Sequence, residues 1–149
     1  MNARSVMNKI ILDASVGLKW FLNEVYSAEA IKLMTGIRDK RLSAIVPFSF
    51  YAECANALWE KTRKEIIRFG RAHEALEEIR KIPLLGHLHE DLEDVAYDNA
   101  CIYDITVYDA LYISLAEIYG VPLITADVKL IKACKDRFDF IEHLKDFKI

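Results

Sequence analysis

Two short, continuous apolar runs constrain the fold most strongly, because a long stretch of helical periodicity separates them. The runs are residues 9–13 (Lys-Ile-Ile-Leu-Asp) and 120–125 (Gly-Val-Pro-Leu-Ile-Thr). Between them, apolar residues recur at helical spacing, as at Ala28, Ile31 and Met34. Uninterrupted apolar strands are buried on both faces, and strands that alternate with helices form parallel sheets. The sequence therefore predicts an α/β fold with a parallel sheet that helices cover on both faces.

Other elements of the predicted fold have weaker signals. A strand near residues 44–46 precedes Pro47, which suits the start of a helix. A helix over residues 128–134 is followed by a last strand at residues 138–141. Residues 83–88 are compatible with one more short strand, but their pattern does not distinguish a strand from a loop.

Composition favours one domain and excludes several classes of protein. The 149 residues include only 5 Gly and 3 Pro and no linker-like stretch, so residues 1–149 are predicted to form a single domain. With 20 Lys+Arg against 23 Asp+Glu, the chain is not a polycation that binds nucleic acid over its whole surface. The longest charge-free run, residues 42–52, is too short to span a membrane, so we expect a cytoplasmic protein without a signal peptide. Three scattered cysteines indicate neither a disulfide framework nor a zinc motif.

Four carboxylates stand where a parallel sheet places ligand-binding groups. Asp13 ends the first apolar run, Asp127 follows the second, and Asp109 opens the predicted helix over residues 107–118. Loops at the carboxyl ends of parallel strands meet along one edge, so these acids are expected to converge. Glu53 lies among apolar residues in a helix that is expected to be buried on most sides. A buried carboxylate is costly, so Glu53 should have a cationic partner or hydrogen-bond donors.

Helix capping is a simpler explanation for three of these acids. The sequence Thr-x-x-Asp that ends at Asp109 has the form of a capping box, and Asp13 and Asp127 each precede a predicted helix. Capping does not explain Glu53, or Asn56, which faces the same way one turn later. Four converging carboxylates would also repel one another unless a divalent cation lay between them. Oxygen ligands without nearby Cys or His favour Mg²⁺ or Mn²⁺ over Zn²⁺.

In these motifs the chain resembles the PIN-domain nucleases, and in particular the toxins of the VapC type. The similarity spans nearly the whole chain, and its most specific part is Tyr-Asp-Ala-x-Tyr followed by Thr-x-Asp. The motifs are Ile-Ile-Leu-Asp-Ala-Ser, which ends at Ser15; Glu-x-x-Asn-Ala-Leu, from Glu53; Thr-Val-Tyr-Asp-Ala-Leu-Tyr, from Thr106; and Leu-Ile-Thr-Ala-Asp-x-x-Leu, from Leu123.

The resemblance implies a three-layer α/β/α sandwich around a central, mainly parallel sheet. It also implies an endoribonuclease that depends on Mg²⁺ or Mn²⁺ and leaves 5′-phosphate and 3′-hydroxyl ends. The catalytic and metal-binding carboxylates of the family match Asp13, Glu53, Asp109 and Asp127. Ser15, Asn56 and Thr125 match positions that support the metal or water. The toxin type implies an RNA substrate, a homodimer and a cognate antitoxin whose basic segment enters the acidic groove.

A basic cluster is the candidate for contact with RNA phosphates. It comprises Lys61, Arg63, Lys64, Arg68 and Arg71, of which the first three are the candidate RNA-binding residues. Cations at the C-terminus of a helix also complement the helix dipole, which explains the cluster at least as well. Asp104 and Glu60 could extend the acidic site, or lie at the surface in a loop and at a helix end.

Two other functions fit the same residues. One is a non-catalytic module that keeps the fold and binds a basic peptide in its acidic groove. The other is a PIN nuclease of RNA maturation. The presence of all four acids favours an active enzyme, and the short chain without added domains favours the toxin type. The sequence contains neither a GxxxxGK[ST] loop nor a GxGxxG motif after the first strand, which disfavours other phosphate enzymes.

Overall fold

The computed structural model describes residues 7–88, 90, 92–134 and 136–149. Strands and helices alternate along these ranges. The strands are β1 (Asn8–Leu12), β2 (Leu42–Pro47), β3 (Leu85–His87), β4 (Leu123–Thr125) and β5 (Ile141–His143). The helices are α1 (Ala14–Gly17), α2 (Ser27–Arg38), α3 (Phe50–Arg63), α4 (Phe69–Arg80), α5 (Leu92–Tyr103), α6 (Val107–Tyr119) and α7 (Val128–Cys134), with a 3₁₀ turn at Leu18–Trp20 after α1.

The strands form one parallel sheet in the order β3-β2-β1-β4-β5. From β1 the chain moves outward to β2 and β3, and it then returns to β4 and β5 on the other side of β1. Because crossovers between parallel strands are right-handed, these two directions of travel place helices on opposite faces of the sheet. The result is a three-layer α/β/α sandwich, as predicted.

The core is built around the central strands, whose side chains are apolar on both faces. Ile10, Ile11 and Leu12 of β1 are at most 1% exposed, and β2 is buried along its whole length. Helix α6 packs across β1, β2 and β4, and residues 110–116 of this helix are all buried. Gly120 ends α6 in the left-handed conformation, at φ 62°, which favours glycine. These rigid elements fix the backbone on either side of the predicted site.

Two element boundaries differ from the sequence-based prediction. Pro47 does not start a helix, because the ladder between β2 and β3 continues to the pair Pro47–His87 and makes Pro47 the last residue of its strand. The predicted last strand exists, but it spans Ile141–His143 and not residues 138–141, since pairing with β4 begins only at Ile141. The undecided segment at residues 83–88 contains β3.

Helix α3 is less buried than its apolar composition predicts. Its buried residues are Phe50, Cys54 and Leu58, which form a single stripe at i, i+4 spacing. Trp59 is 55% exposed, so the prediction of burial on most sides was wrong. The stripe packs inward, and Glu53 lies beside it on the flank of the helix.

Among the described residues, no helix is both long and apolar enough to cross a membrane. The predicted single domain also includes residues 1–6, 89, 91 and 135, which lie outside the described residues.

Candidate active site

The candidate site lies where the strand order reverses, between β1 and β4. Leu12 pairs with Ile124, and the backbone N–H of Asp13 donates to the Ile124 carbonyl at 3.1 Å. The carboxyl ends of these strands therefore meet at one edge of the sheet, while the chain that follows them turns to opposite faces. Such a reversal leaves a crevice that parallel sheets use to bind ligands. Asp13 and Asp127 lie at this edge, as expected from the sequence.

Asp13 is buried and is held by two hydroxyl groups. Thr125 Oγ1 donates to Asp13 Oδ2 at 2.8 Å, and Ser15 Oγ donates to the same oxygen. Ser15 Oγ also accepts a hydrogen bond from the backbone N–H of Ala126 at 3.0 Å, which ties the segment after β1 to the segment after β4. The prediction that the Asp13 side chain caps α1 was wrong, because its carboxylate accepts from these hydroxyls and makes no cap hydrogen bond.

Asp127 and Thr106 do cap helices, as predicted. Asp127 Oδ1 accepts from the backbone N–H groups of Lys129 and Leu130 at 2.9 and 3.2 Å. Thr106 Oγ1 accepts from the backbone N–H of Asp109 at 3.1 Å. Capping therefore fixes the backbone at Asp109 and occupies only one oxygen of Asp127. The capping explanation and a role in ligand binding are compatible at both acids.

Glu53 is stabilised by neutral donors. Ser49 Oγ, at the N-terminus of α3, donates to Glu53 Oε1 at 2.7 Å. The buried Tyr112 hydroxyl makes no hydrogen bond of standard geometry within the described structure, yet it lies close enough to the Glu53 carboxyl to lower its pKa. Burial outweighs both hydroxyls, and with the Asp13 charge it raises the pKa of Glu53 from 4.5 to about 7. The predicted need for hydrogen-bond donors is confirmed.

One open cavity of about 610 Å³ brings these groups together. Its walls include Asp13, Ser15, Glu53, Asn56, Asp109 and Asp127. Burial raises the pKa of Asp13 and of Asp109, and the negative charge of Asp127 raises both further. Across the described ranges, none of the four carboxylates forms an ion pair with Lys, Arg or His. The cavity thus holds concentrated negative charge that a cation would stabilise.

The donor set fits a hard divalent cation held partly through water. Within the described residues, no three His, Cys, Asp or Glu side chains form a preassembled metal cluster. Mg²⁺ usually keeps several waters and binds through one or two protein carboxylates, so carboxylates around the walls of a cavity suit it. Asp13 Oδ1 and Asp127 Oδ2 accept no hydrogen bond from the described part of the chain. These oxygens, together with Glu53 and Asp109, are the groups that would hold the ion.

The basic cluster lies apart from this cavity and is largely engaged with neighbours. Lys61 Nζ lies 2.5 Å from Glu24 Oε1, and Lys64 Nζ lies 4.0 Å from Glu60 Oε2. The Arg63 guanidinium lies over the ring of Trp59, 4.9 Å from its centroid. Glu60, one of the two acids that could have extended the site, therefore lies in the basic cluster and does not line the cavity. Asp104 lines a separate groove that begins at Asp109 and Asp127.

Sequence reasoning assigned no role to three residues that contribute to the site. Ser49 binds Glu53, Tyr108 lines the cavity, and the Tyr112 hydroxyl lies beside Glu53. Ser49 precedes Glu53 by four residues, and Tyr112 follows Asp109 by three, so helical spacing was the available signal. Tyr108 gave no such signal, because its exposure depends on how α6 packs.

The PIN domain family model matches residues 10–136 of the chain. The chain is also similar to a protein named Ribonuclease VapC3 from Pyrobaculum aerophilum, with 29% identity over 124 residues, which cover 82% of this chain and 92% of the relative.

Solved structures with the same fold agree with this match. The structure of PAE2754 from Pyrobaculum aerophilum has a TM-score of 0.68 and 20% identity. The aligned region covers 95% of this chain and 93% of the PAE2754 chain. The Mycobacterium tuberculosis toxin VapC20, described as cleaving the sarcin-ricin loop, has a TM-score of 0.63 and 17% identity. The aligned region covers 84% of this chain and 95% of the VapC20 chain. A toxin-antitoxin complex from Klebsiella pneumoniae contains a chain with a TM-score of 0.61 and 11% identity. The aligned region covers 94% of this chain and 99% of that one.

Proposed function

The chain belongs to the PIN domain family, and from this premise we propose that it is an endoribonuclease that depends on Mg²⁺ or Mn²⁺. The observation that carries the proposal is the cavity at the β1–β4 edge, where four carboxylates lie without a cationic partner among the described residues. Asp13, Glu53, Asp109 and Asp127 are proposed as its metal-binding and catalytic residues.

The supporting residues act by fixing the carboxylates. Thr125 and Ser15 orient Asp13 through its Oδ2, which leaves Oδ1 for the ion. Ser49 holds Glu53, and Asn56 presents an amide to the same cavity one turn later on α3. A fixed carboxylate binds metal more tightly than a mobile one, because less side-chain freedom is lost on binding.

Divalent ions bound there would activate water and neutralise charge on the scissile phosphate, so the reaction needs no histidine base. Hydrolysis of this kind leaves a 5′-phosphate and a 3′-hydroxyl. The detection of a 2′,3′-cyclic phosphate among the products would contradict the proposed chemistry.

We further propose that the chain is the toxin of a toxin-antitoxin pair. The names of its relatives support this, since one is a ribonuclease VapC3 and another solved chain belongs to a toxin-antitoxin complex. A basic segment of the antitoxin would complement the unbalanced negative charge of the cavity. A homodimer is the proposed assembly. Lys61, Arg63 and Lys64 are proposed to contact RNA phosphates. The contribution of Lys61 to binding is smaller, because it already pairs with Glu24.

The decisive experiment is cleavage of a mixed RNA by the purified chain. The reaction contains Mg²⁺ or Mn²⁺ and is run beside an EDTA control and an Asp109→Asn variant. Cleavage that requires both the metal and Asp109 supports the proposal. Cleavage that survives in the variant indicates a contaminating nuclease. The absence of cleavage on a broad set of RNAs would favour a non-catalytic module that binds a basic peptide.

A further inference from the structure

An apolar groove opens beside the carboxylate cavity and shares two of its walls. The groove has a volume of about 630 Å³, and Ser49 and Tyr108 line both it and the cavity. Phe48, from the turn after β2, and Val107, from the first turn of α6, contribute further apolar surface. This volume lies in the ~300–1,000 Å³ range of small-ligand sites.

Two exposed aromatic rings line the groove, and one of them, Tyr108, also lines the cavity. Phe48 is 77% exposed and Tyr108 is 61% exposed. In the described ranges, neither ring packs against another aromatic ring or lies beneath a cation. Two other exposed rings are covered, Trp59 by the guanidinium of Arg63 and Phe69 by the ring of His73. Tyr97, on α5, is 62% exposed and has no such partner in the described ranges, but it does not line the groove or the cavity. Unpartnered aromatic faces beside a catalytic cavity point to a ligand that covers them.

We propose that Phe48 and Tyr108 form a stacking subsite for a base of the RNA substrate, next to the scissile phosphate. The inference rests on the proposed function. Tyr108 immediately precedes Asp109 and lines the same cavity, so a strand whose phosphate lies at Asp109 carries its neighbouring nucleotide past Tyr108. Aromatic side chains bind unpaired bases by stacking, whatever their sequence, because every base has a π-face.

The charges around the groove favour a base over a phosphate. Glu90 and Glu93 line the groove and would repel a phosphate group. Lys129 lines a different groove, which shares Asp109 and Asp127 with the cavity and no residue with the apolar groove. A strand that crosses the site can therefore place an uncharged base among the aromatic rings and direct its phosphates towards Lys129. Bases in a duplex are hidden, so the subsite requires an unpaired nucleotide.

The test measures the affinity of Phe48 variants for RNA. A short, fluorescein-labelled, single-stranded RNA of mixed sequence is titrated by anisotropy in an Asp109→Asn background, so that the probe stays intact. We expect Phe48→Ala to raise the Kd about tenfold. The matched control is Phe69→Ala, since Phe69 is 71% exposed but does not line the groove. Circular dichroism and thermal melting verify that each variant is folded.

Two replacements separate stacking from simple apolar contact. Phe48→Trp should restore the affinity, whereas Phe48→Leu should not, because leucine keeps apolar surface but has no π-face. In the active protein, Phe48→Ala should raise the KM for cleavage more than it lowers kcat.

Each contrary outcome identifies what fails. Equal affinities for the wild type, Phe48→Ala and Phe69→Ala would overturn the subsite, while cleavage by the wild type would leave the proposed function intact. Full rescue by Phe48→Leu would also overturn the subsite and indicate an apolar docking surface for a protein partner. A wild-type chain that neither binds nor cleaves RNA would overturn the proposed function and the subsite together.

Discussion

The carboxylate cavity and the basic cluster are both groups of like charges, but they differ in how far neighbouring side chains balance those charges. In the cavity, burial raises the pKa of Asp13, Glu53 and Asp109, and no cation among the described residues pairs with them. In the basic cluster, Lys61 pairs with Glu24 and Arg63 packs on Trp59. The carboxylates of the cavity therefore lack balancing cations among the described residues, whereas Lys61 and Arg63 of the basic cluster are engaged with neighbouring side chains.

The position of each group relative to the sheet explains this difference. Asp13 and Asp127 are short side chains fixed beside the ends of adjacent strands, so they cannot move apart to relieve their repulsion. The basic residues lie at a helix end, on long side chains that can reach acids or aromatic rings nearby. A concentration of charge that the fold cannot relieve is therefore the stronger indication of a ligand site.

The largest effect is expected when one cavity carboxylate is neutralised. Asp109→Asn should lower the rate of metal-dependent RNA cleavage at least about a hundredfold, because one of the proposed charged metal ligands is lost. The control is Asp98→Asn, which removes one carboxylate from the exposed face of α5. Rates that fall equally in the two variants would show that net charge, and not the cavity, controls the activity.

A smaller loss is expected when the cavity keeps its carboxylates but loses a group that orients one of them. Thr125→Val removes the hydroxyl that donates to Asp13 and accepts from the Asp127 backbone, with little change in shape. We expect about a tenfold loss of activity or of metal affinity, which titration calorimetry can measure. Thr35→Val, on the exposed side of α2, is the matched control. Unchanged metal affinity in Thr125→Val would show that Asp13 is fixed by other contacts.

The basic cluster should give a smaller effect still, confined to binding. We expect Arg63→Glu combined with Lys64→Glu to weaken RNA binding severalfold and to reduce the salt dependence of log Kd by about 0.7 for each lost phosphate contact. Lys40→Glu combined with Arg41→Glu changes the net charge equally at another site. If both double variants behave alike, the cations at the end of α3 serve the helix dipole and do not contact RNA.

The smallest effect is a pH dependence of stability in the metal-free protein. The pKa of Glu53 is raised from 4.5 to about 7, so the folded state binds this proton more tightly than the unfolded state does. The contribution of Glu53 is therefore most favourable below pH ~4.5 and is lost as the pH rises to about 7. In EDTA, Glu53→Gln should raise the Tm by a few degrees above pH 7 and by less near pH 4.5. Mg²⁺ should reduce the difference, since it stabilises the ionised carboxylate.

The comparison for this pH effect is Glu77→Gln, on the exposed face of α4. A difference in Tm between Glu53→Gln and the wild type that does not change with pH would contradict the raised pKa of Glu53.

The parallel sheet and the edge that carries the acids could be predicted from sequence because their signals are local. The apolar run before Asp13 and the run before Asp127 identify β1 and β4, and parallel pairing then places both acids together. Helix caps at Thr106 and Asp127 are likewise local patterns, and the structure contains both.

The remaining features depend on tertiary packing. The burial of α3 was overestimated because an apolar helix at the rim of a sheet buries only one stripe, here Phe50, Cys54 and Leu58. The exposed faces of Phe48 and Tyr108 could not be predicted, since aromatic residues are more often part of the core. That Asp13 accepts hydrogen bonds instead of capping α1 depends on Thr125, which is distant in sequence.

The hydrogen bond from Thr125 to Asp13 joins residues 112 positions apart, and this separation sets when the site can exist. At a synthesis rate of about 5–20 residues per second, Asp13 is made roughly 5–20 s before Thr125. A chain interrupted before β4 contains Asp13, Glu53 and Asp109 but lacks both Asp127 and the hydroxyl that orients Asp13. Translation products that end before β4 therefore lack the full set of four carboxylates, which is complete only after Asp127 has been synthesised.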